Sequence, residues 1–149
     1  MEISVHNLQK KIPIKTNQIF NHIRKILRYL KLKKVKLSIT FVTDQRIKSL
    51  NKKFLHRDHT TDVLAFDLTE ENLSRLGGKI HRVEGEIVVS TDTVWKNAKQ
   101  FGTQHNYELM LCVVHGILHL LGYDDHLPED IEKMRKKEKD VMRLLKFGN

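Results

Sequence analysis

Two histidines four residues apart, His115 and His119, sit inside Leu109–Leu121, thirteen residues without an acidic side chain, lysine or arginine. Too short to span a bilayer and too long for a typical strand, the run reads as a buried helix. At a rise of ~1.5 Å per residue the spacing places both imidazoles on one face, about 6 Å apart along the axis. Two side chains so placed can converge on one small ion. A buried imidazole is commonly no more than a hydrogen-bonded core residue, but the next residues weigh toward a metal. Gly122 stands where a helix ends in a left-handed turn, after which the chain can present Asp125 or His126 to the same ion. Two imidazoles and a third ligand leave a fourth position for water, as in catalytic zinc sites. The implied chemistry is hydrolysis. Gly116 follows the first histidine, where HExxH peptidases carry a glutamate base, so peptide cleavage by that route lacks its proton acceptor. Cys112 reads as core packing, because Cys112 to His119 spans about 10 Å of helix.

Around this helix the chain reads as a mixture of strands and helices. Met1–Val5 is expected to be a short strand. From Asn17, Ile19, Phe20, Ile23, Ile26, Leu27 and Leu30 follow helical spacing, with Thr16 or Asn17 as the cap. Val35, Leu37, Ile39 and Phe41 alternate with mostly polar residues as a strand buried on one face. A short helix follows Asp44, and Val63–Phe66 is expected to be a strand. Glu70–Gly85 reads as a flexible connection, and Ile87–Val89 as a third apolar strand behind Gly85, which permits close backbone approach. Helices are expected from Thr91 to Phe101, from about Asn106, and from Pro128 onward, where proline and two carboxylates suit a first turn. The expected architecture is one α+β domain over residues 1–149, a small mixed sheet covered by helices.

Charge is unevenly placed. Residues 1–53 hold 14 Lys and Arg against Glu2 and Asp44, whereas residues 54–149 hold 13 basic and 16 acidic side chains, within a net charge of +9. A basic half joined to a near-neutral half suits a polyanion, most often nucleic acid. Arg24, Lys25, Arg28 and Lys31 fall away from the apolar stripe of the first helix and form the candidate nucleic-acid-binding face; such contacts would weaken steeply with salt. The single cysteine excludes an intrachain disulfide and agrees with a reducing cytosol. With neither a leader nor a membrane span expected, the cytoplasm is the expected compartment.

His115-Gly116-Ile117-Leu118-His119-Leu120-Leu121-Gly122-Tyr123-Asp124 resembles the signature of the YbeY family, bacterial rRNA maturation factors and single-strand-specific metallo-endoribonucleases. Leu50-Asn51, Thr61-Asp62-Val63-Leu64-Ala65-Phe66 and Gly85-Glu86-Ile87-Val88-Val89-Ser90 are similar to further family segments in the same order. The resemblance implies a metzincin-like zinc helix and one Zn2+ ion held by His115, His119 and, by position, Asp125, with His126 as the alternative third ligand. It also implies single-stranded rRNA as substrate, a role in small-subunit rRNA 3′ end processing and ribosome quality control, and the ribosome or its small subunit as partner.

Three departures stand out. The family commonly has a third histidine ten residues after the first, where this chain has Asp125; carboxylate is an acceptable zinc ligand. Leu55 follows Phe54 where many members carry arginine, leaving Arg57 as the nearest candidate catalytic cation. Glu86 replaces a more usual aspartate. Gly116 removes bulk beside the ion, and room for RNA is expected there. Two classes of function follow: a zinc-dependent endoribonuclease, and a non-catalytic, zinc-stabilised RNA-binding ribosome assembly factor. A zinc hydrolase of peptides or small esters is disfavoured by Gly116 and by the charge.

Overall fold

Alternation at every second residue makes the longest expected strand the spine of the sheet. In the computed structural model, which describes residues 1–69 and 82–147, β2 (Lys34–Val42) buries Val35, Leu37, Ile39 and Phe41. β1 (Glu2–Asn7) runs parallel along one side of β2, and β4 (Arg82–Ser90) runs parallel along the other. β3 (Val63–Asp67) lies antiparallel on β4, which completes a four-stranded mixed sheet in the order β1-β2-β4-β3. Parallel neighbours require crossovers, and α1 (Thr16–Tyr29) provides the one between β1 and β2. After β2 comes α2 (Asp44–Leu55); after β4 come α3 (Thr91–Phe101), α4 (His105–Leu120) and α5 (Pro128–Arg143).

One hydrophobic cluster unites Ile23, Ile26 and Leu27 of α1 with Leu37, Ile39 and Phe41 of β2, Ile87 of β4, and Val113, Val114 and Ile117 of α4. Each such side chain contributes roughly 1.5–3 kcal/mol through burial. A smaller cluster of Val42, Ile47, Leu64 and Val88 seats α2 against the sheet. The α1 positions opposite its buried stripe, Arg24, Lys25 and Arg28, are exposed, as is Lys31 just beyond the helix, so the cationic face stands open.

Two local expectations change, and a third, the close approach at Gly85, holds. Neither Thr16 nor Asn17 caps α1: the helix begins at Thr16, behind Lys15, with no side-chain cap. The strand expected at Ile87–Val89 is the end of nine residues, so 82–85 belong to β4 rather than to a connection. Gly85 is a close-approach glycine within the sheet, since a Cβ there would meet the Phe66 carbonyl at 2.8 Å and a Leu120 methyl at 2.8 Å. The remainder of the expected connection, 70–81, lies outside the described residues.

Candidate metal centre

From Leu109 to Leu120, every residue of α4 is buried except Leu111, His115 and His119. These lie at i, i+4 and i+8, a single stripe left open in a helix otherwise clasped by the sheet, α3 and α5. At the end of α4 the amide of Gly122 donates to the His119 carbonyl and that of Tyr123 to the Leu118 carbonyl, each at 3.0 Å. This is a Schellman-type reversal, and Gly122 takes the left-handed conformation it needs, with φ +96°. The reversal carries Asp125 back to the open stripe.

There three donor atoms converge. His115 Nε2 and His119 Nε2 lie 3.0 Å apart, and Asp125 Oδ2 stands 3.6 Å from the first and 3.5 Å from the second. Donors about 2.0–2.1 Å from a tetrahedral ion stand about 3.3–3.4 Å from one another. The three separations bracket that value, so the group fits a small divalent ion with one corner left for water or substrate. His126 faces elsewhere: its Nε2 is 3.4 Å from Asp124 Oδ1, in a more exposed group with Asp124 and Asp125 that does not include the α4 imidazoles.

Behind His115 stands a carboxylate that the sequence reading missed. Glu138 of α5 places Oε2 3.5 Å from Nδ1 of His115, with only 12% of its side chain accessible. Its acceptor is the largest influence on the imidazole and raises its pKa above the usual 6.5; burial opposes the rise, and the charges of Glu138, Asp125 and Asp62 add to it. Surroundings that hold a proton on the ring also favour a cation in front of it. The signal was present, because Glu138 shares its helical stripe with buried Met134 and Val141. A carboxylate at a core position needs a partner.

The titratable residues between α2 and β3 divide. Asp62 reaches α4, where its Oδ2 accepts from the thiol of buried Cys112 at 3.6 Å, and burial pushes that thiol's pKa well up. Cys112 thus packs in the core, as expected. Arg57 is exposed in the turn after α2, with its amide donating to the Asn51 carbonyl at 3.3 Å, and Asp58 pairs with Lys48 at 3.9 Å. Buried Asn51 ties the turn further, its Nδ2 donating to the His59 carbonyl at 3.0 Å. Gly116 does not open space beside the donors. A Cβ there would meet Ile87 Cγ2 at 2.9 Å, so the glycine lets α4 press against β4. Exposed Glu86 pairs with Ser38 and Phe66 in the sheet, and nothing in the structure explains its replacing an aspartate.

Comparison with known proteins agrees over nearly the whole chain. The family model described as Endoribonuclease YbeY matches residues 4–146. Endoribonuclease YbeY of Syntrophus aciditrophicus is 35% identical over 147 residues, covering 97% of this chain and 90% of that protein. The Thermodesulfovibrio yellowstonii protein of the same name is 34% identical, covering 98% of each. A solution structure of a protein from Thermotoga maritima superimposes with a TM-score of 0.67 at 29% identity, covering 97% of this chain and 89% of the other.

Proposed function

The chain belongs to the YbeY family, and from that premise we propose that it is a zinc-dependent endoribonuclease acting on single-stranded ribosomal RNA. Its role would lie in maturing the 3′ end of small-subunit rRNA and in ribosome quality control, with the ribosome or its small subunit as partner. The observation that carries this reading is the convergence of His115 Nε2, His119 Nε2 and Asp125 Oδ2 to within 3.0–3.6 Å of one another. Two imidazoles and a carboxylate suit zinc. When bound, zinc polarises a phosphoryl oxygen and lowers the pKa of water.

The chain's own residues do the rest. His115 and His119 present ring nitrogens from one face of α4, and Asp125 would offset part of a bound ion's charge from the third side. Arg24, Lys25, Arg28 and Lys31, all exposed, track phosphates. Arg57, exposed in its turn, offsets charge building on the scissile phosphate. No described helix is long and apolar enough to cross a membrane, and the one cysteine, buried and unpaired, supports the cytoplasm as the working compartment.

The test is single-stranded rRNA cleavage by protein as purified, stripped with a chelator and reloaded with zinc, beside His115→Ala purified identically. Cleavage should vanish on stripping, return with zinc and be absent from the variant. Activity that survives stripping would overturn the metal assignment. Pure, zinc-loaded protein that binds RNA yet never cuts it would make this chain a zinc-stabilised assembly factor instead.

A further inference from the structure

We propose that Glu138 is a positioning residue for the metal: its carboxylate takes the Nδ1–H of His115 and holds that ring with Nε2 aimed at the ion. The inference rests on the metal reading above and concerns how this chain prepares one ligand. A neutral imidazole carries one proton on one of two nitrogens, and the partner of the first decides whether the second offers a lone pair. Here Nε2 of His115 faces the other two donors, while Nδ1 faces Glu138 Oε2 at 3.5 Å. At that distance the contact is longer than a tight N–H···O bond, but acceptor and charge lie on the correct side of the ring.

Position on α5 argues the same way. Between buried Met134 and Val141 the stripe calls for an apolar side chain, and Glu138 is 12% accessible there. An unpartnered carboxylate in that place would cost free energy, and among the described residues its ion-pair partner is His115. The two imidazoles are therefore unequal. His115 is set before metal arrives, whereas among the described residues the carboxylate paired with His119 is Asp125, on the metal side. The same contact couples α5 to the site.

Three variants test this: Glu138→Gln, Glu138→Ala and Glu138→Leu. Zinc affinity is measured by competition with a chromophoric chelator, the melting midpoint on metal-free protein, and the His115 tautomer by long-range 1H–15N correlation. The alanine and leucine variants should bind zinc about 10–100-fold more weakly, the usual cost of losing a carboxylate behind a histidine ligand. Glutamine keeps an acceptor but no charge, so its loss should be smaller. Metal-free Glu138→Leu should melt at or above wild type, because leucine completes the stripe, and His115 should no longer be held in the Nδ1–H form.

Unchanged zinc affinity in Glu138→Leu, or affinity that falls only in step with metal-free stability, would reduce Glu138 to a structural residue and overturn the proposal. Wild type that takes up no zinc is a separate result, which would remove the metal reading itself.

Discussion

The carboxylate of Asp44 and the group at His115, His119 and Asp125 both gather polar side chains at helix ends, with opposite results. Around Asp44 donors and acceptors pair off. Oδ1 accepts from Ser90 Oγ at 2.5 Å and Thr93 Oγ1 at 2.6 Å, Oδ2 from Lys96 Nζ at 3.3 Å, and the Asp44 amide donates to Asp92 Oδ2 at 2.8 Å. This closed circuit joins the start of α2 to the start of α3, where helix dipoles favour carboxylates. At the open stripe of α4, two ring nitrogens 3.0 Å apart and a carboxylate oxygen face one another. With Nδ1 of His115 facing Glu138, these three atoms can all present lone pairs to one cation. Residue types alone do not separate structural from functional clusters; the balance of donors and acceptors does.

Removing a member of each group should break the contrast in opposite directions. The largest effect is expected for Asp125→Ala: zinc affinity should fall by more than about 100-fold, beyond the cost of losing a merely supporting partner. Its metal-free stability should stay within about 0.5 kcal/mol of wild type, as for a surface substitution. His126→Ala should bind zinc like wild type. Chelator competition with urea unfolding checks both, and weaker zinc binding by His126→Ala than by Asp125→Ala would reverse the ligand assignment.

Asp44→Ala should do the reverse, costing about 1–2 kcal/mol of stability through lost hydrogen bonds and helix-end charge while zinc affinity stays constant. A pH dependence follows. Burial pushes the Asp44 carboxyl up, but hydrogen bonds from Ser90, Thr93 and Lys96, with the charge of Lys96, outweigh it and hold the pKa below the ordinary 3.8. A lowered folded-state pKa contributes stability that is fully present above the unfolded value and is lost as pH falls through the folded one. Wild type should therefore lose stability more steeply than Asp44→Asn from about pH 4 downward, and parallel curves would deny the carboxylate its role.

How much of this was legible in the sequence depends on the range of the signal. The i, i+4 histidines, Gly122 and the apolar run sufficed for α4 because helix geometry is local. The alternation in β2 sufficed for the spine of the sheet. Glu138 was passed over because an acidic residue in a Lys-rich helix looks like solvated surface unless the stripe through Met134 and Val141 is traced across it. Gly85 was legible as a close-approach glycine, but what it approaches, Leu120 and the Phe66 carbonyl, lies elsewhere in the chain. The Asp44 circuit joins residues 46 to 52 positions apart, a separation that no local pattern encodes.

Gly116 offers the smallest expected effect and the sharpest division between the two sides of α4. Alanine in a helix interior gains about 1 kcal/mol over glycine by propensity. Against that, the new Cβ would stand 2.9 Å from Cγ2 and 3.1 Å from Cδ1 of Ile87, which is fully buried on β4. Ile87 is stiff at χ1 and its Cγ1 also lies at 3.2 Å, so helix or strand must shift, at about 1–3 kcal/mol for an overpacked core. The net result should be a loss of about 1 kcal/mol in urea unfolding of metal-free Gly116→Ala. Had the glycine served to admit RNA, the substitution would leave stability at or above wild type and weaken RNA binding alone. Loss of stability with RNA affinity retained would place Gly116 with the packing side of α4, and leave the chemistry to the stripe that His115 and His119 occupy.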